Sequence, residues 1–100
     1  MTAKIWFVYI IRTSDGQLYT GITTDIQRRW KEHSSGKGGA RYFRARKPEH
    51  LCLVEEHVDR STASKREAEI KKFSKSTKEA LVAKHTLKFS IAPTEDAIAI

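Results

Sequence analysis

Two tyrosines, an arginine and a later glutamate are the side chains in this 100-residue sequence that are best suited to chemistry. Tyr9, Tyr19 and Arg29 follow one another at intervals of ten residues, and Glu67 lies in a separate segment. The arginine offers a planar fork of donors that matches phosphate geometry. One glutamate suffices for Mg²⁺, which keeps several waters and binds one or two carboxylates together with substrate phosphate. These residue types therefore suit the hydrolysis of a phosphate ester.

Positive charge is concentrated around the arginine, in residues 28–47, which we call the basic segment. The chain has 19 Lys and Arg against 12 Asp and Glu, and its formal net charge is +7. Such clustering attracts polyanions and is typical of nucleic-acid-binding proteins, although an ordinary solvated basic face is the alternative. Tyr42 and Phe43 could stack on unpaired bases there, or pin the loop to the domain. The cationic residues, opposed only by Glu32, are Arg28, Arg29, Lys31, Lys37, Arg41, Arg44, Arg46 and Lys47.

Length and composition restrict the class of protein. A chain of this size forms one domain with a modest core, and we expect that domain at residues 1–87, with a loosely ordered tail at residues 88–100. The longest apolar run, residues 5–11, is far shorter than the ~18 residues of a membrane span, and no secretory cleavage site follows it. Cys52 is the single cysteine, so neither an intramolecular disulfide nor a multi-cysteine zinc site can form. We expect a cytoplasmic protein without membrane association.

Two strands must bring the tyrosines together. Residues 4–11 are β-branched and aromatic, which predicts a central strand buried on both faces, and residues 17–22 predict its hairpin partner. A two-residue loop would place the tyrosines on opposite faces of the sheet. A three-residue loop that closes at Gly16 would pair Tyr9 with Gly21 and place both phenols on one face. In that register we expect Gly21 to leave open the space that a phosphate would occupy.

Helix and strand signals position the remaining groups. Residues 24–27, Thr-Asp-Ile-Gln, resemble a capping box with Thr24 as the N-cap, which predicts a helix over residues 25–33. Ile26, Trp30 and His33 fall on one stripe of that helix. A third strand is expected to begin at Leu51. Both Trp6 and Trp30 are predicted to lie in the core.

Two later helices complete the predicted order. The pattern of residues 62–73 predicts a helix on which Glu67 lies on or near the buried side. Residues 76–79, Ser-Thr-Lys-Glu, resemble a second capping box, with a last helix to about residue 85. The order β-β-α-loop-β-α-α predicts a small α+β domain with a three-stranded, largely antiparallel sheet flanked by helices.

The motifs resemble those of a known superfamily. Phe7-Val8-Tyr9, Tyr19-Thr20-Gly21, the run Arg29 to His33, and Glu67 together look like the GIY-YIG nuclease domain. The tract 39–42 and the following Arg44 and Pro48 strengthen the match to its small single-domain, YhbQ-like bacterial members. The resemblance covers residues 4–85. It departs from the pattern at Phe7, where the name-giving glycine would stand, and in the absence of any asparagine.

The resemblance implies a metal-dependent endonuclease that cuts DNA, or RNA, with structure rather than sequence selecting the substrate, and with Mg²⁺ or Mn²⁺ as cofactor. Tyr9 would help to activate the attacking water and Tyr19 would orient the nucleophile and phosphate. Arg29 would be the catalytic arginine, His33 a histidine near the site, and Glu67 the metal ligand. Preference for branched, nicked or single-stranded DNA, a role in DNA repair, and a protein partner for targeting are further expectations.

Simpler interpretations exist for each residue. The tyrosines could be ordinary aromatics that pack across a hairpin. Glu67 could pair with Lys71 four residues later, and His33 could be a helix-end residue capped by its neighbours. The alternative function is a module on the same fold that binds DNA or RNA without cutting it. A protein-interaction adaptor would leave the basic segment unexplained.

Overall fold

The structure is a computed structural model that describes residues 4–35 and 46–84. Its three-stranded antiparallel sheet and its element order confirm the predicted α+β domain. The predicted tail, residues 88–100, lies outside the described residues. No helix in the described ranges has the length and apolar character needed to cross a membrane. The elements are β1 (Trp6–Thr13), β2 (Leu18–Thr23), α1 (Ile26–Ser35), β3 (Pro48–His57), α2 (Arg60–Lys71) and α3 (Lys75–Lys84).

The strand β1 lies at the centre of the sheet, between β2 and β3. Residues 8–11 are all buried, as predicted for a strand that is covered on both faces. Tyr9 lies opposite Gly21, which confirms the three-residue hairpin loop and excludes the two-residue alternative. Gly16 closes this loop with a φ of +84°, a left-handed conformation that glycine adopts without steric cost.

The two faces of β1 pack against different helices. The face that carries Tyr9 packs against α1, and we call it the α1 face. The face that carries Ile10 packs against α2, and we call it the α2 face. The core of the α1 face consists of Tyr9, Ile11, Ile26, Trp30, Leu51 and Val54, and that of the α2 face of Val8, Ile10, Leu53, Ala63 and Ile70.

Both predicted capping boxes are wrong about the residue that caps the helix. Asp25 caps α1, because its Oδ1 accepts a hydrogen bond from the backbone N–H of Arg28 at 3.0 Å; Thr24 does not. Ser74, two residues before the predicted cap, receives the backbone N–H of Thr77 on its Oγ at 3.2 Å and starts α3. A capping box needs Gln or Glu at the third helical position. Neither predicted partner occupies that position once the helix begins at its actual cap.

The other late elements also begin before their predicted starts. Asp59 caps α2, and its Oδ1 accepts a hydrogen bond from the N–H of Thr62 at 2.9 Å. Asp59 thus lies in the break after β3 and also starts α2. The strand β3 begins at Pro48 instead of Leu51. The preceding residue is held at the hairpin loop, where the N–H of Ser14 donates to the carbonyl of residue 47 at 2.9 Å.

Candidate active site

A buried hydrogen bond joins β1 to α1 at the centre of the α1 face. Oη of Tyr9 and Nε2 of His33 are 2.9 Å apart, and the two residues are only 2% and 1% exposed. The histidine lies there because Ile26, Trp30 and His33 form the buried stripe of α1, as predicted. His33 is therefore a core partner of the phenol, and not a helix-end residue that its neighbours cap.

Tyr19 completes a cluster of three rings. Its centroid lies 6.2 Å from that of Tyr9, which confirms that both phenols share one face. It meets the ring of His33 edge-on, with centroids 5.4 Å apart and an interplanar angle of 71°. Tyr19 is only partly buried, so it is the ring of this cluster that also faces solvent. The two phenols thus also make the cross-strand contact expected of ordinary strand aromatics.

The expectation that Gly21 leaves room for a phosphate is wrong. A Cβ at this position would lie 2.5 Å from Oη and 2.7 Å from Cζ of Tyr9. The phenol of the paired strand therefore fills the space that the glycine leaves. Glycine is required here because the ring of Tyr9 lies across the backbone of β2, and its hydroxyl is held at that place.

Arg29 lies beside the same phenol, on the preceding turn of α1, and the two residues line one small hollow. Its Nη1 donates to Oε1 of Glu32 at 2.8 Å, and its positive charge opposes the rise in the pKa of Tyr9. A neutral imidazole has one N–H and one acceptor nitrogen. In the tautomer whose proton is on Nδ1, Nε2 of His33 accepts the proton of the Tyr9 hydroxyl.

Burial shifts the pKa values of the hydrogen-bonded pair in opposite directions. Burial raises the pKa of Tyr9 above its ordinary value of 10.0, an effect increased by Tyr19 and opposed by Arg29. Burial, together with the positive charge of Arg29, lowers the pKa of His33 to about 4. Both groups are consequently neutral at pH 7, and the core accommodates them without a buried charge.

Glu67 approaches from α2, the helix on the other face of the sheet. Its side chain is 23% exposed and its Oε2 lies 3.2 Å from Nζ of Lys71, so the simple helix-surface pair is present. Burial is the main cause of the raised pKa of Tyr9, and the negative charge of Glu67 adds to it. The carboxylate is therefore within electrostatic reach of the phenol, and it is also accessible to solvent.

A divalent metal ion fits this carboxylate on chemical grounds. Carboxylate oxygen is a ligand that Mg²⁺ prefers, and this ion needs only one or two carboxylates because waters and phosphate complete its shell. A surface pair four residues apart on a helix contributes only ~0.2–0.5 kcal/mol, so Lys71 is a weak competitor. The described residues contain no group of three His, Cys, Asp or Glu side chains that could hold a metal.

The described members of the basic segment lie at two places. Arg28 and Lys31 are exposed on α1. Arg46 lies at the hairpin loop, where its Nε is 2.8 Å from Oδ2 of Asp15, and the adjacent Lys47 is exposed. The remaining predicted nucleic-acid contacts, Lys37, Arg41, Tyr42 and Arg44, lie outside the described residues.

The structure also contains a surface groove that the sequence did not indicate. It has a volume of about 340 Å³ and we call it the Trp6 groove. Trp30 is buried as predicted, but Trp6 is only partly buried, because it stands at the first position of β1. The sequence signal for a partly exposed Trp6 was its place near the start of the apolar run, residues 5–11. The walls of the groove include Trp6, Ile22, Thr24, Arg28, Arg29 and Glu32.

Comparison with known proteins gives relatives over most of the chain. The family model described as the GIY-YIG catalytic domain matches residues 5–80. The UPF0213 protein DP2720 of Desulfotalea psychrophila is 56% identical over 77 residues, which are 77% of this chain and 70% of that protein. The UPF0213 protein YhbQ of Shigella dysenteriae is 47% identical over 81% of this chain and 80% of that protein.

Solved structures show the same relationship. The solution structure of the UPF0213 protein BH0048 from Bacillus halodurans is 43% identical, with a TM-score of 0.52 over 79% of this chain and 83% of that one. The solution structure of EF2693 from E. faecalis is 30% identical, with a TM-score of 0.55 over 89% of this chain and 98% of that one. With its matched motifs, its fold and these relatives, the chain belongs to the UPF0213 (YhbQ) group of the GIY-YIG nuclease superfamily.

Proposed function

We propose that this protein is a metal-dependent endonuclease that hydrolyses phosphodiester bonds in DNA. The observation that carries the proposal is the buried contact between Tyr9 and His33, 2.9 Å long, with Arg29 beside the phenol in the lining of the same small hollow. A phenol in an ordinary core needs one partner to satisfy its hydroxyl. Here one group accepts its proton while a cation faces its oxygen, an arrangement suited to proton transfer.

In the proposed reaction, the oxygen of a water attacks phosphorus while the bond from phosphorus to the leaving oxygen breaks. One proton of this water passes to Oη of Tyr9 as the phenol proton passes to Nε2 of His33. The leaving oxygen takes a proton from solvent. Tyr9 relays the proton and never needs to ionise, which matches the raised pKa of its hydroxyl.

Binding of a phosphate strengthens the base in this scheme. Burial and the charge of Arg29 hold the pKa of His33 at about 4 in the free protein. A phosphate on the guanidinium offsets that positive charge and so raises the basicity of the imidazole. The same phosphate positions the electrophile beside the phenol. Tyr19, whose ring edge meets His33, orients the water and the phosphate from the solvent side.

Glu67 is the residue that we propose to hold Mg²⁺ or Mn²⁺. The cation would supply positive charge at the phosphoryl oxygens, where negative charge builds in the transition state. The accessible carboxylate and its weak pairing with Lys71 support this role.

Selectivity for DNA structure instead of sequence is part of the proposal. The exposed cations on α1, Arg28 and Lys31, suit contacts to phosphates, and such contacts carry no sequence information. The proposed substrate is DNA in the cytoplasm, in nicked, branched or single-stranded form, as in repair.

The test is a cleavage assay on labelled single-stranded, nicked and branched DNAs, with and without Mg²⁺ or Mn²⁺. The wild type should cut at least one of these DNAs only when metal is present. Glu67→Gln should lose about 100-fold or more of the rate. Glu69→Gln, which removes an exposed carboxylate from the same helix, is the matched control and should cut normally. Equal cutting by Glu67→Gln, or cutting without metal, would contradict the proposal.

A second function is favoured by two observations: Glu67 is already paired with Lys71, and the chain contains no asparagine. A non-catalytic DNA- or RNA-binding module would bind the same substrates without cutting them. Its affinity would not change with Glu67→Gln or with chelation of metal. Retained binding with no cleavage on any substrate would favour this function.

A further inference from the structure

The Trp6 groove has two walls of different chemistry. One wall is apolar and consists of Trp6 and Ile22, and the other is cationic and comes from Arg28 and Arg29 of α1. A guanidinium from α2, that of Arg60, lies 5.7 Å from the centroid of the Trp6 ring. An aromatic surface beside guanidinium groups is the combination that binds single nucleotides, with bases on the flat groups and phosphates on the charges.

The groove is continuous with the proposed active site through one residue. Arg29 lines the groove and also lines, together with Tyr9, the small hollow at the proposed active site. A nucleic-acid strand with one phosphate on Arg29 must therefore place its adjoining nucleotide in or beside the groove. The volume of about 340 Å³ falls in the range of roughly 300–1,000 Å³ that is usual for small-molecule sites.

We propose that the Trp6 groove is a subsite for the nucleotide adjacent to the cleaved bond. The nucleotide's phosphate binds Arg28, and its sugar or base packs against Trp6 and Ile22. This inference rests on the proposed function, because it assumes a nucleic-acid strand on Arg29. It assigns to Trp6 a contact with substrate that the sequence pattern, which predicted a core residue, did not indicate.

The carboxylate of Glu32 competes with the nucleic-acid strand for the two arginines of the subsite. This carboxylate lies 2.8 Å from Nη1 of Arg29 and 4.0 Å from Nε of Arg28. It is therefore paired with both guanidinium groups until a phosphate displaces it. A polyanion that contacts both arginines at once can replace this carboxylate, whereas a single weak anion gains too little binding free energy to do so. Removal of Glu32 should consequently strengthen binding, and removal of Arg28 should weaken it.

The experiment measures binding of a short oligo-dT strand without metal, so that no cleavage occurs. Trp30→Phe leaves Trp6 as the single tryptophan of the chain, and stacking or packing of a nucleotide on it should quench its fluorescence. If Trp30→Phe does not fold, Trp6→Phe in the otherwise wild-type protein gives the same information, because the quenching should then disappear.

Variants that remove a positive or a negative charge from the groove should change the affinity for oligo-dT in opposite directions. Arg28→Gln should weaken oligo-dT binding about tenfold at low salt and reduce the salt slope by about 1, whereas Glu32→Gln should strengthen binding. Lys78→Gln, which removes one positive charge from α3, is the matched control. No quenching of Trp6, or equal losses in Arg28→Gln and Lys78→Gln, would overturn the subsite.

The outcome separates this inference from the proposed function. If the wild type cuts DNA and depends on Glu67, but the groove variants bind as the control does, only the subsite is wrong. If the groove variants change affinity as expected, but no DNA is cut with any metal, the subsite stands and the nuclease activity does not.

Discussion

The two faces of β1 are buried equally but differ in composition. Ile10, on the α2 face, is 0% exposed and Tyr9, on the α1 face, is 2% exposed. The α2 face surrounds its isoleucine with aliphatic side chains. The α1 face instead buries a phenol and an imidazole that satisfy each other. Adjacent residues of one strand thus face an aliphatic core on one side and a hydrogen-bonded polar pair on the other, because alternate side chains point to opposite faces.

The comparison explains why the polar pair is tolerated. A buried hydroxyl or imidazole without a partner costs roughly 1–3 kcal/mol. The neutral forms of Tyr9 and His33 avoid both that cost and the larger cost of a buried charge. The α1 face therefore holds a polar pair in the core with little loss of stability, whereas the buried core of the α2 face is aliphatic.

The largest effect is expected from Ile10→Ala on the α2 face. Truncation of a fully buried isoleucine should lower the free energy of unfolding by about 2–5 kcal/mol, as measured by urea denaturation. The rate of DNA cleavage per folded molecule should fall far less than in variants of the α1 face, since this residue faces away from Tyr9 and only packs against α2, the helix that carries Glu67.

Because such a loss is a large part of a typical stability of ~5–15 kcal/mol, Ile10→Val is the milder companion variant. It should cost only about 0.5–1.5 kcal/mol. A folded Ile10→Val protein that cuts more than tenfold more slowly than the wild type would show that the two faces do not act separately.

The next effect is the pH dependence of the free energy of unfolding that arises from His33 on the α1 face. The pKa of His33 is about 4 in the folded protein against 6.5 for the free side chain, so the unfolded state binds more protons between these values. The stability that neutral His33 provides is present above about pH 6.5 and is lost as the pH falls toward 4. At 1.36 kcal/mol per unit, the loss is on the order of 3 kcal/mol.

The measurement compares the free energy of unfolding of the wild type and His33→Gln at several pH values from 7 to 4.5. The acidic side chains titrate in both proteins, so the difference between them isolates the histidine. The advantage of the wild type should shrink as the pH falls. Parallel curves over this range would contradict a buried, neutral His33.

Gly21→Ala should disturb the α1 face alone. Its Cβ would overlap the phenol of Tyr9, so the ring must move. Displacement of a reacting group by about 1 Å costs on the order of 100-fold in rate, which corresponds to ~2.7 kcal/mol. Single-turnover cleavage measures this loss directly.

Gly16→Ala is the matched control, because it makes the same substitution in the same hairpin. Gly16 has a positive φ and no atom within 4 Å of an added Cβ. This variant should lose about 1 kcal/mol of stability through backbone strain, while its cutting rate stays normal. Equal rates for the two variants would exclude the displacement of Tyr9 as the cause.

The smallest effect is a gain in stability on the α2 face. Thr20 lies opposite Ile10, is 3% exposed, and its hydroxyl has no hydrogen-bond partner in the part of the chain that the structure describes. Thr20→Val keeps the branched shape and removes the unpaired hydroxyl. Thermal and urea unfolding should show a gain of about 1 kcal/mol. A loss of stability would show that the hydroxyl is satisfied in solution.

Local signals predicted the parts of the site that lie within single elements. The turn chemistry at Gly16 left two hairpin registers open, and the structure has the one that places both phenols on one face. The stripe of α1 grouped His33 with Ile26 and Trp30, which the structure buries together. Each of these predictions depends only on the period of a strand or helix and on the chemistry of a turn.

Features that depend on tertiary geometry could not be predicted. The direction of the Tyr9 ring decides what fills the space at Gly21. Arg46 pairs with Asp15, which lies 31 residues away in sequence. Likewise, the groove at Trp6 forms where the start of β1, the end of β2 and the first turns of α1 meet, and no periodic pattern in the sequence indicates that meeting.

The central claim is that the buried phenol of Tyr9 takes part in the reaction, and Tyr9→Phe tests it most directly. The substitution removes one oxygen and retains the ring, so the fold and the affinity for DNA should be preserved. Single-turnover cleavage in Mg²⁺ should fall by about 10²–10⁴-fold, the usual contribution of a positioned proton-transfer group. A Tyr9→Phe protein that binds and cuts DNA at the wild-type rate would contradict the account.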